Sequence, residues 1–120
     1  MTYPTLQIIH FTGLALTFMG LAGVLALKFS GENTSKKRWI FHASHGAGLL
    51  VVLTSGIALG LKLGVTHPAP FWVIAKFVVW LLAGSAMILA IRFSRFAGII
   101  LIYFAALVFA AAWLGIYKPS

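Results

Sequence analysis

Four long apolar runs, at about residues 5–28, 39–62, 70–92 and 95–117, take up nearly all of the 120-residue chain. Each is long enough to cross the roughly 30 Å hydrocarbon layer of a bilayer as a helix. The breaks between them are short. Only the stretch from Ser30 to Arg38 has the composition of a soluble loop, while Gly64 to Pro70 and Phe93-Ser94-Arg95 read as tight reversals. With 62% hydrophobic and 8% charged residues, the chain has too few polar side chains to cover a water-soluble core. These features predict one all-α domain over 1–120, a membrane-embedded up-down four-helix bundle. The first run lacks a basic leader and a convincing small-residue cleavage site, so it reads as a retained signal-anchor helix. No convincing internal repeat is visible.

The basic residues set an orientation. Lys28, Lys36, Lys37, Arg38, Arg92 and Arg95 fall on one side of the predicted topology, Lys62 and Lys118 on the other. Basic residues accumulate on the cytoplasmic side of inner-membrane proteins. The bias therefore predicts N- and C-termini on the outer (periplasmic) side of a bacterial inner membrane. Tyr3, Trp72, Trp113 and Tyr117 collect at that outer boundary and Trp39 at the inner one, as an aromatic belt requires.

Composition removes most reaction chemistry. Without cysteine there is no thiolate nucleophile, thiolate metal site or Cys-attached haem. With Glu32 as the single acid, one copy of the chain has no carboxylate pair for acid/base work and no carboxylate cage for a cation. The formal charge of +8 is placed at the ends of apolar runs and forms no basic stripe with interleaved aromatics, which argues against nucleic acid. The expectation is a non-enzymatic protein.

Helices in lipid associate through small residues that let backbones approach. His10, Gly13, Thr17 and Gly20 step by three and four and share a face of helix 1; Gly48, Val52, Gly56 and Gly60 do the same in helix 2, the last two forming a GxxxG element. Alanines 105, 106, 110, 111 and 112 supply a broader small-residue surface in helix 4.

Ionisable groups within membrane spans are expensive and mark candidate sites. Here they are His10, His42, His45 and Lys76. At about 1.5 Å of rise per residue, His10 and Lys76 share the outer level while His42 and His45 belong to the inner leaflet. The outer pair, with Trp72 and Trp80 one turn either side of Lys76, forms a candidate pocket for a polar headgroup, a quinone oxygen, a haem propionate or a partner's acid. A b-type haem is the alternative cofactor, and His42 and His45 are metal ligands only if such a haem is present. His10 and His45 lie at different levels, and His42 and His45 share one helix. Two axial ligands then require a second chain, pairing His45 with its symmetry mate, or His67 in the outer loop meeting His10.

Several elements in order resemble the SirB family of small bacterial inner-membrane proteins, over nearly the whole chain. They are Ile9-His10 early in helix 1, His45 early in helix 2 with Ser55-Gly56 after its apolar run, Trp72-Val73-Ile74-Ala75-Lys76 opening helix 3, and Ala90-Ile91-Arg92 closing it. Where the family commonly has an acid three residues after the helix 2 histidine, this chain has Gly48. The resemblance implies an inner-membrane location and a link to invasion-gene regulation, with no defined reaction. It singles out His10, His45 and Lys76 as one constellation. The expected role is a non-catalytic accessory subunit or scaffold that contacts the lipid bilayer or quinone, together with other membrane subunits or a homo-oligomer. A haem- or quinone-linked electron carrier is the alternative, and a small homo-oligomeric transporter or channel the third reading.

Overall fold

A computed structural model describes residues 2–31, 35–64 and 70–117, with the side chains of 35–37 outside the described set. Glu32, His67 and Lys118 also lie outside it, as do the sequence readings made on them. Four helices fill the described chain: α1 (Tyr3–Phe29), α2 (Ser35–Lys62), α3 (Phe71–Arg92) and α4 (Ala97–Tyr117), with a single 3-10 turn at Ser94–Phe96 leading into α4. All four segments are long and apolar enough to cross a membrane. Helices 1 and 2 begin earlier than the apolar runs do, because N-terminal turns tolerate polar residues that the hydropathy of a span excludes.

The ends have local causes. Thr2 caps α1, its hydroxyl oxygen accepting the Thr5 N–H, and Pro4 occupies the first turn, where its missing donor costs nothing. Lys28 sits in the last turn of α1, at the negative end of the helix dipole. Gly31 and Gly64 follow α1 and α2 with φ of 85° and 76°, a conformation that favours glycine. Pro70 precedes α3, and the Phe93 amide closes that helix by donating to the Leu89 carbonyl.

Neighbouring helices run antiparallel, so the first residues of α1 and the last of α4 lie at one end. The helices do not pack as equals. α1 is central, with α2 locked against one of its faces and the α3/α4 hairpin against another. The buried core belongs to the second interface: Leu21, Val24 and Leu25 of α1 interdigitate with Ala86, Met87 and Ala90 of α3 and Ile100 and Phe104 of α4. The outward faces of all four helices carry large apolar side chains, among them Ile8, Phe11, Leu50, Ile57, Phe77, Ile99, Ile102 and Phe109.

Candidate functional site

The polar residues singled out in the sequence converge on the α1/α2 interface, which is built from the absence of side chains. A Cβ on Gly48 would run into the Thr17 amide nitrogen and hydroxyl and the Gly13 carbonyl. One on Gly20 would strike the His45 amide and the Phe41 carbonyl. On Gly13 it would meet the side chains of Val51 and Val52 at 2.8 and 3.0 Å. Backbones this close exclude any larger residue. The facing pairs run in antiparallel register: His10 with Ser55, Gly13 with Val52, Thr17 with Gly48, Gly20 with His45.

The predicted face of α1 is therefore the contact face, whereas that of α2 is only partly so. Gly48 and Val52 make the contact. Gly56 meets only the edge of the His10 ring, at 3.5 Å, and a Cβ on Gly60 would find nothing within 4 Å. Neither glycine makes a close backbone approach, so the GxxxG element does not mediate this interface. His45 takes its place at the opposite end, its backbone and Cβ lying against Gly20.

Side-chain hydrogen bonds from Ser44, His10 and His45 cross this interface among the described residues. Ser44 Oγ donates to the Leu16 carbonyl over 2.8 Å. His10 Nδ1 lies 2.8 Å from Ser55 Oγ. Because the Ser55 hydroxyl proton is directed to the Val51 carbonyl, the serine oxygen accepts and His10 Nδ1 donates. His45 Nδ1 is 3.0 Å from the Thr17 carbonyl, which can only accept, so this nitrogen also carries its proton. His45 is 4% exposed, and its Nε2 is buried with no hydrogen-bond partner among the described residues.

The equivalence of the two histidines has a basis in sequence that hydropathy reading misses. His10-Phe11-Thr12-Gly13-Leu14 and His45-Gly46-Ala47-Gly48-Leu49 are two copies of H-x-x-G-L. Their glycines meet at the helix crossing, and each histidine reaches across to the other helix one turn away. α1 and α2 thus form a short inverted repeat around the Gly13/Gly48 contact. The signal was available as a repeated pentapeptide, but a repeat of this length emerges only once the two copies are seen to pack on each other.

The levels follow the sequence expectation. Along α2, His45 and Ser55, the partner of His10, are ten residues apart, roughly 15 Å at helical rise, so the rings do not face each other. His42, one turn before His45, is partly exposed beside Arg38. Lys76 is close enough to His10 for its charge to act on the ring, and its Nζ would lie 3.3 Å from a Cβ on Gly115 near the end of α4. That is a favourable place for a cation, since unpaired carbonyls and the negative dipole end gather in the last turn of a helix. Trp72 is half-buried one turn before Lys76. Trp80 departs from the predicted pocket: its indole N–H donates to the Leu49 carbonyl of α2 over 2.9 Å, and its ring stacks on Phe77 with centroids 5.7 Å apart. An indole N–H midway along an apolar helix needs such a partner, because lipid offers none.

Among the described residues no group of three or more His, Cys, Asp or Glu side chains is arranged to hold a metal ion. No protein-family model matches the chain, and no curated protein or solved structure shows significant similarity to it.

Proposed function

We propose that this chain is a multi-pass protein of the bacterial inner membrane that acts without catalysis, as an accessory subunit or scaffold contacting lipid or quinone within a larger assembly. One observation carries the reading. His10, His45, Ser44, Ser55 and Trp80 are used to tie helices together. Lys76, whose charge reaches the His10 ring, marks with His10 and Trp72 the polar locus that a headgroup, quinone oxygen or partner acid would meet. The positive-inside bias orients that locus, with both termini, outward. Affinity purification of the full-length chain in a mild detergent, followed by mass spectrometry of retained proteins and lipids, tests the proposal. A defined membrane partner or retained quinone or lipid is expected. A stable monomer free of all three would overturn it.

The haem-linked reading has one specific observation in its favour. A histidine that binds iron donates its second ring nitrogen to a carbonyl or carboxylate, and His45 donates Nδ1 to Thr17 while Nε2 has no partner. The same nitrogen is enclosed, so an iron would require the helices around it to part. A visible spectrum of the purified protein separates the readings: a Soret band lost in His45→Ala supports haem, and a featureless spectrum removes it.

A further inference from the structure

Below the Gly13/Gly48 crossing α1 and α2 are clamped together, whereas beside the Lys62 end of α2 lies a groove of about 400 Å³. Its lining is Leu6 of α1 with Ala58, Leu61 and Lys62 of α2. Ala58, Leu61 and Lys62 are spaced three and four apart and so share one face of α2. Among the described residues the groove has an apolar floor and a single cation at its rim.

Among the described residues no acidic side chain answers that cation. Glu32, the one acidic side chain of the sequence, precedes α2, whose first residue, Ser35, is roughly 40 Å from Lys62 by helical rise. The groove volume falls within the range of small-molecule sites, about 300–1,000 Å³. An apolar trough ending in an ammonium complements a molecule with a hydrocarbon tail and an anionic head.

We infer that this groove is a binding site for one anionic glycerophospholipid, with an acyl chain along Leu6, Ala58 and Leu61 and the phosphate on Lys62. The inference deepens the lipid-contacting scaffold reading and rests on the helices being embedded in a bilayer. The site differs from the His10/Lys76 locus in its cation and in its walls.

Native mass spectrometry of the full chain in detergent tests it, with phosphatidylglycerol as probe. Phosphatidylcholine of the same acyl chains isolates the charge, and glycerol 3-phosphate isolates the headgroup. One phosphatidylglycerol is expected to be retained in preference to phosphatidylcholine, with glycerol 3-phosphate not retained. Lys62→Gln should weaken phosphatidylglycerol about fivefold, the effect of one basic residue at an anionic surface. Ala58→Leu keeps the cation but fills the groove, and should weaken phosphatidylglycerol and phosphatidylcholine alike by a similar factor. Both positions are partly or fully exposed, so both variants should fold. Equal retention of the two lipids with no effect of Lys62→Gln, or glycerol 3-phosphate binding as well as the intact lipid, would overturn the site. Retention of phosphatidylglycerol in a preparation with no partner protein would leave this site standing while removing the accessory-subunit reading; a partner protein without specific phosphatidylglycerol would do the reverse.

Discussion

The two faces of α1 are held by different physics. Towards α3 and α4 it presents Leu21, Val24 and Leu25, which fill space against Ala86, Met87, Ala90, Ile100 and Phe104. Towards α2 it presents His10, Gly13, Thr17 and Gly20, where backbones touch and hydrogen bonds cross. In a bilayer, which the length and apolarity of all four helices suit, neither could depend on a hydrophobic drive, because lipid tails are as apolar as leucine. The first interface depends on dispersion between side chains of fitting shape. The second depends on the lack of side chains, which brings polar groups within bonding distance. An interface of the first kind should suffer from truncation, and one of the second kind from addition.

Truncation of the α3/α4 core has the largest expected effect. Phe104 is 1% exposed, and Phe104→Ala should cost about 3–5 kcal/mol through the cavity it leaves, read as a lower midpoint in SDS-induced unfolding from mixed micelles. A shift below a third of that would mean that lipid or a neighbouring side chain refills the space, and the contrast between the faces would weaken. Next comes addition at the helix crossing. Gly48→Ala places a methyl group into the Thr17 and Gly13 backbone and should cost about 1–3 kcal/mol. Gly60→Ala, in open space, should stay within about 0.5 kcal/mol of the parent chain. Equal effects of the two substitutions would show that the register described here is not the one that holds in a membrane.

Removal of single cross-links should have the smallest effect. Trp80→Phe deletes the indole donor to Leu49, and Ser55→Ala deletes the partner of His10. Interhelical hydrogen bonds in membranes contribute about 0.6 kcal/mol on average. The same unfolding assay should resolve both variants at about that size. Ser55→Ala should also shift the His10 imidazole signals in an NMR spectrum while leaving those of His45 in place.

Much of this architecture was legible in local sequence. Four apolar runs located four helices, because the length of a span is set by the bilayer and the backbone must bond within its own helix. Helical periodicity placed His10, Gly13, Thr17 and Gly20 on one face, and counting residues put His10 level with Lys76. The α2 face was less legible. Period alone joined Gly48 to Gly56 and Gly60, yet a Cβ on Gly60 would meet nothing within 4 Å. Trp80 looked like a neighbour of the Lys76 pocket from its spacing, but its donor is directed to α2.

Hydropathy and helical spacing are properties of one segment at a time, so the sequence by itself determined which segments are helices, their order, and which residues share a side of each. It also contained both H-x-x-G-L copies, without showing that they meet. Register between helices is a property of two surfaces together. Only the tertiary structure decided that Gly48 rather than Gly60 sits at the crossing, that His45 donates to the Thr17 carbonyl and keeps Nε2 enclosed, and that Leu6 and Lys62 line one groove. Those outcomes follow from where two backbones can approach most closely, which no single helix specifies.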